Sequence, residues 1–333
     1  MKKLWLALGV AACACTMATA RTPAPTPAPS PGEIVAAAPA SEWTAIAASD
    51  LLVMDLAPGP RGARRVVIQL MPAPFSQGWI GNIRKLAAAK WWDGTSVNRV
   101  QDNYVVQWGD ATEKKALPEG LETVKVDHYI NPIGFVMLAI RNSPISPELD
   151  VTPIKGLDIY SAQTGFFQGW PVALSTAWPL KTKEVIRAAE KRKLSTWPVH
   201  CYGMVGVGRN LSPDTGSGAE LYTVIGHAPR HLDRNIALAG RVIEGIEHLS
   251  SLPRGTGALG FYEKEEERVP ILSVRIGTEI SDVPAFEYLS SDSATFAKYA
   301  DARANRRDPF FNVPAGGADI CNIPVPVRRK AVP

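Results

Sequence analysis

Cysteine is scarce: the chain has four in 333 residues, and two of them, Cys13 and Cys15, lie near its start. A small disulfide framework is therefore excluded. An excess of either charge is also lacking, since 36 Lys and Arg face 32 Asp and Glu. Lys2 and Lys3 fall in a leader, and without them the net +4 drops to +2, too little for a nucleic-acid footprint. No apolar run reaches the roughly 20 residues that a membrane-spanning helix needs. No Gly-x-Ser-x-Gly elbow occurs, so an α/β-hydrolase nucleophile is missing. What remains is 46% hydrophobic and 20% charged, an ordinary globular composition with room for one large or two modest domains.

Residues 1–20 read as an export signal: Lys2 and Lys3, an apolar stretch from Leu4 to Met17, then Ala18-Thr19-Ala20 before Arg21. The expected location is the periplasm or the exterior. A rival processing site at Val10-Ala11-Ala12-Cys13 resembles a bacterial lipobox and would leave an acylated Cys13, making the protein a membrane-anchored lipoprotein. Cleavage after Ala20 leaves Cys201 and Cys321, either paired in an oxidising compartment or buried as reduced thiols. Residues 21–40 alternate Pro with Ala and Thr, which predicts an extended, semi-rigid tether.

Order is expected from about Trp43. Val66, Ile68 and Leu70 alternate within a β-branched run, the pattern of a strand over 64–70. Ser76 is placed to cap a helix carrying Trp79, Ile80, Ile83 and Leu86 on one face. Further strands are predicted over 96–100, 104–108, 201–208, 220–226, 236–241 and 269–276, with a short helix over 242–249. Residues 111–200 are broken by prolines, with one helical stretch over 181–192, and 284–307 reads as helical. Many strands, two short helices and no βαβ rhythm indicate a mainly β fold: a closed or nearly closed barrel capped by helices.

Two motifs do not survive their context. Gly255-Thr-Gly257-Ala-Leu-Gly260 has dinucleotide-site spacing, but it follows Leu252-Pro253-Arg254 and precedes a run of charges instead of an amphipathic helix. His227 and His231 have metal-pair spacing, but Pro229 disfavours the helix between them and no Cys or carboxylate completes the set. No metal and no cofactor is expected.

Two other segments carry most of the information. One runs from Trp92-Asp93-Gly94-Thr95 through Asn98-Arg99-Val100 to Asn103-Tyr104-Val105-Val106-Gln107-Trp108-Gly109-Asp110. The other joins Tyr202-Gly203-Met204-Val205-Gly206-Val207-Gly208, Ser217-Gly218-Ala219-Glu220-Leu221-Tyr222-Thr223, His231-Leu232-Asp233 and Gly240-Arg241-Val242. In this order they resemble the cyclophilin family of peptidyl-prolyl isomerases, most closely over 65–111 and 199–275. The resemblance implies a closed eight-stranded barrel with a helix at each end and a substrate groove on its outer face, occupying 41–280 with an irregular insertion over about 111–200. A helical C-terminal extension, 281–333, is expected to pack on it.

The family's catalytic arginine falls on Arg99 and its groove glutamine on Gln107. Its proline pocket falls on Tyr104 and Val105, with Tyr222, His231 and Leu232 opposite, and Gly208 takes the place of a small residue beside the substrate backbone. Read without the family, Arg99 is a surface salt-bridge arginine, and Tyr104, Val105, Tyr222 and Leu232, above all Val105 and Leu232, are open to a reading as plain barrel core at period two. The chemistry implied suits these residue types. Rotation about an X-Pro bond breaks amide resonance, a barrier of roughly 18 to 20 kcal/mol. At the twisted midpoint the nitrogen regains a lone pair, so a fixed donor beside it favours the midpoint over either planar isomer. A guanidinium is a permanent, rigid donor.

Several positions depart from the family. Val97-Asn98 replaces a common Phe-His, His231 a groove-rim Trp, Ile236 a His, Ala239 a core Phe, and Glu220 a Gln. The resemblance therefore implies an isomerase for X-Pro bonds of exported proteins, assisting their folding, with an altered peptide preference and weak cyclosporin binding. The alternative is a binding module for proline-containing segments or envelope partners with little turnover. Proline-containing peptides are the expected partners, with no nucleic acid and no membrane span.

Overall fold

The structure, a computed structural model, describes residues 27–132, 158–175 and 195–331. The leader, Cys13, Cys15 and the helix expected over 181–192 lie outside the described residues. In chain order the elements begin with α1 (Pro31–Ala36), β1 (Trp43–Ile46), β2 (Leu51–Gly59), β3 (Gly62–Leu70), α2 (Gln77–Ala88), β4 (Ser96–Val100) and β5 (Val105–Gly109). The inserted region supplies β6 (Asn131–Pro132), β7 (Gln163–Phe167), β8 (Trp170–Leu174) and β9 (Ser195–Pro198). There follow β10 (Met204–Val207), β11 (Leu221–Val224), β12 (Leu238–Glu244), α3 (Glu247–Ser250), β13 (Val269–Ile276), β14 (Phe286–Leu289), α4 (Ala294–Ala304) and β15 (Val327–Arg329).

Eight of these strands close a barrel in the order β10-β11-β5-β4-β13-β2-β3-β12, every pairing antiparallel. Closure leaves no free sheet edge. Trp79, Ile80, Ile83, Leu86 and Ala87 of α2 are buried in the barrel's core. Ser76 does occupy the N-cap position, but its φ of 56° turns the side chain away from capping and it makes no cap hydrogen bond.

Strand β2 was not foreseen. Its run Leu51-Leu52-Val53-Met54 does not alternate because both of its faces are covered. Leu52, Met54 and Leu56 join the barrel core, while Leu51 and Val53 pack outside with Ile46, Val67 and Phe286. That outer cover is the sheet β1-β14-β15, drawn from the two ends of the domain. The stretch expected to be helical over 284–307 is thus a strand followed by α4, whose N-cap Ser293 accepts from the Phe296 N–H. Part of the expected tether is also helical: Pro31–Ala36 has a Ser30–Glu33 capping box, and Ile34 and Val35 pack on the core.

The helix expected over 242–249 shrinks to α3, because β12 continues to Glu244. Gly245 then turns the chain at φ 84°, where a Cβ would lie 2.1 Å from the Arg65 carbonyl oxygen. The insertion, read as irregular, carries the sheet β6-β9-β8-β7, with Phe166, Trp170, Val172 and Trp197 buried in the main core. Arg241 of β12 joins it to the barrel. Its Nη1 donates to the Gly169 carbonyl at 2.7 Å, and its guanidinium lies 4.5 Å from the Trp170 ring centre. Cys201 and Cys321 form a disulfide, sulfurs 2.07 Å apart, fastening the C-terminal extension beside β10. Among the described residues no helix is long and apolar enough to cross a membrane.

Candidate active site

Strict alternation would place Arg99 on the same face as Val97, inside the barrel. A bulge prevents this. Val97 pairs with Trp108 and Arg99 with Gln107, so Asn98 and Arg99 together oppose one residue of β5. Val97 and Val100 stay in the core while Arg99 is turned out to the groove. The pairing continues outward across the barrel wall: Gln107 is opposite Tyr222, and Tyr222 is opposite Gly206. Arg99, Gln107, Tyr222 and Gly206 therefore form one rung across β4, β5, β11 and β10.

The Arg99 guanidinium is half-buried and held on three sides. Nε donates to the Leu259 carbonyl at 2.8 Å, Nη1 to Gln107 Oε1 at 3.1 Å, and Nη2 to Gln101 Oε1. Each terminal nitrogen retains a further N–H. Burial lowers the Arg99 pKa from its ordinary value, with the nearby Tyr104 acting the other way, and a guanidinium remains charged throughout the working pH range. No carboxylate pairs with it among the described residues. Its carbon lies 5.3 Å from the Phe261 ring centre and 5.9 Å from that of Tyr104. It is neither a surface salt-bridge arginine nor one locked into an internal ion pair.

Beside it is an apolar notch. Val105, Tyr222 and Val224, with Tyr104 and Ile236 against them, form a cluster separate from the barrel core. Tyr104, Val105 and Tyr222 are therefore groove residues and not core filling. Leu232 and Gly208 line the same cavity of about 760 Å³. His231, exposed on the rim, lies parallel to Tyr104 with ring centres 6.3 Å apart. Seven of the eight site residues read from the sequence thus line one groove, and His231 stacks on one of them, Tyr104.

Sequence reasoning missed the wall that orients Arg99. The loop 255–260, set aside as a phosphate site, presents the Leu259 carbonyl to the guanidinium, with Leu259 itself in the left-handed region at φ 57°. Only the clustering of three glycines signalled a close backbone approach there. Glu220 was read as a departure, but not as a titrating group: burial raises its pKa to about 7, and Gln107, Asn98 and the Asp110 N–H bond to it. His227 and His231 stand on loop and single-turn segments, and no set of three or more metal-ligating side chains occurs among the described residues.

A family profile described as cyclophilin type peptidyl-prolyl cis-trans isomerase/CLD matches residues 64–276, well over half of the chain. The chain belongs to that family. Among solved structures it is similar to cyclophilin AquaCyp293 from Hirschia baltica, at 21% identity and a TM-score of 0.61, covering 87% of this chain and 95% of that one. A Cryptosporidium parvum cyclophilin-type isomerase solved with the dipeptide Ala-Pro aligns at 11% identity and a TM-score of 0.35, covering 68% and 98%. No curated protein matches the sequence. At 21% identity the likeness to AquaCyp293 is one of fold. That cyclophilin's length is nearly all covered, so the similarity includes more than the barrel of the present cyclophilin.

Proposed function

We propose that this cyclophilin isomerises X-Pro bonds of exported proteins in the groove, with Arg99 as the aimed donor. One observation carries the reading: a half-buried guanidinium with no carboxylate partner among the described residues stands on the same rung as Gln107 and Tyr222, beside an apolar notch. The notch holds the ring of proline while Gln107 holds the peptide backbone. The free N–H groups of Arg99 then favour the twisted imide over its planar forms. No proton, metal or nucleophile takes part.

Export is supported by the leader pattern and by the Cys201–Cys321 disulfide, which persists in oxidising compartments. The residence is periplasmic or secreted, and mass spectrometry of the mature N-terminus separates it from a lipoprotein by finding Arg21 instead of an acylated Cys13. With His231 in the rim position, cyclosporin is expected to bind weakly. The deciding experiment is the cis/trans exchange rate of a short X-Pro peptide with wild type and Arg99→Ala. A loss of roughly 100- to 1,000-fold in the variant is expected, by analogy with other aimed donors. Equal rates for both, at the uncatalysed value, leave a proline-peptide binding module instead.

A further inference from the structure

Behind the notch runs a row of polar groups that isomerisation does not itself require. Tyr222 contributes its ring to the notch, yet its hydroxyl is 2.9 Å from Nε2 of His200, a residue with no exposed surface. His200 Nδ1 is 2.9 Å from Asp233 Oδ1, which also accepts the His200 backbone N–H at 3.0 Å. Asp233 Oδ2 accepts from Arg230 Nε at 2.7 Å, and Arg230 Nη2 lies 2.8 Å from Asp158. Burial acts to raise the Asp233 pKa, but His200 and Arg230 outweigh it and hold the carboxyl below its ordinary value.

An ionised carboxylate only accepts, so Nδ1 of His200 carries a proton toward Asp233; in the neutral ring Nε2 is then the acceptor and the Tyr222 hydroxyl the donor. Burying such a row costs desolvation that an apolar floor would avoid. In return it ties down the far end of the Tyr222 ring. The opposite strand is shaped to admit this, since Gly206 has no side chain where the ring passes.

We propose that His200, fixed by Asp233 and Arg230, is a positioning residue for the proline notch: it anchors the Tyr222 hydroxyl and so sets the ring against which pyrrolidine packs. This rests on the groove being the isomerase site. It assigns to His200 no contact with substrate and no role at the Arg99 donor.

The test compares wild type with Tyr222→Phe, His200→Phe, the double variant and His200→Gln, which keeps an acceptor at the Nε2 position. For an Ala-Pro tetrapeptide, each single Phe variant is expected to raise KM about fivefold, the worth of one hydrogen bond, with kcat within about twofold. The double variant should be no worse than either single one, and His200→Gln should recover most of the loss. Losses that multiply, or a KM unchanged in His200→Phe, overturn the proposal. If wild type shows no turnover, the isomerase reading fails separately, and the same variants are compared by NMR titration of the peptide for the same non-additive pattern. The anchor is read without any peptide from the imidazole ¹⁵N spectrum. An Nδ1–H His200 whose Nε2 signal moves in Tyr222→Phe is expected, and an Nε2 signal indifferent to that change overturns the proposal.

Discussion

Gly206 stands directly across the β10–β11 pair from Tyr222, and a Cβ on it would fall 2.2 Å from Cζ of the Tyr222 ring. Real Cβ contacts do not come so near, so Gly206→Ala must displace the ring or the strand. The expected result is a loss of stability of about 1 to 3 kcal/mol, as for overpacking elsewhere, together with a fall in X-Pro exchange rate. Urea denaturation and NMR exchange measured on one sample check both. Wild-type values for both would mean that Tyr222 is not confined as the structure places it.

Arg99 offers a test of direction against charge. Its three bonds, to Leu259, Gln101 and Gln107, hold a planar fork in one plane. Arg99→Lys keeps the charge but has no fork to hold. We expect the exchange rate to fall by about tenfold or more with the fold unchanged by circular dichroism. Retention of wild-type activity by the lysine variant would show that a nearby positive charge suffices.

How much of this was legible beforehand depended on what each residue packs against. Strand β3 was disclosed by the alternation of Val66, Ile68 and Leu70 although Val67 between them is buried under the outer sheet, the turn at Asp93-Gly94 led to β4 and β5, and β13 alternates buried Val269 and Ile271 with exposed Pro270 and Leu272. Strand β2 is covered on both faces, and its apolar run carries no period to read. The groove residues were found because Arg99, Gln107 and Tyr222 recur at family spacing. The bulge at Asn98 that turns Arg99 outward has no local sequence signature, and the Leu259 carbonyl is a backbone group that any residue supplies. His200 falls within the matched stretch 199–275 but in none of the segments that carry the resemblance, and its partners Tyr222 and Asp233 are 22 and 33 residues away, a proximity that only the folded barrel creates.

The disulfide sets a second boundary condition. Cys201 and Cys321 are 120 residues apart, so their bond restrains a long loop of the unfolded chain and fastens the extension that carries α4. Replacing both with Ser should lower stability by about 2 to 5 kcal/mol. Denaturant titration of the variant, and of wild type with and without reductant, checks this. Equal midpoints in all cases would show that packing of the extension alone holds it.

Glu220 makes stability depend on pH in a direction opposite to that of most carboxylates. Burial raises its pKa from 4.5 to about 7, against the opposing bonds from the Asp110 N–H, Gln107 and Asn98, while the Asp110 charge adds to the rise. The folded state therefore holds this proton more tightly than the unfolded chain. Its contribution is fully present below about pH 4.5 and is lost as pH rises to about 7. The lost amount is up to about 3 kcal/mol from the size of the shift. Glu220→Gln keeps an oxygen to accept the Asp110 N–H and removes the titration. The variant should match wild type near pH 4.5 and exceed it in stability above pH 7, as urea midpoints across the range would record. A difference that stayed constant with pH would place the ionisation of Glu220 at its ordinary value, and its carboxylate in water.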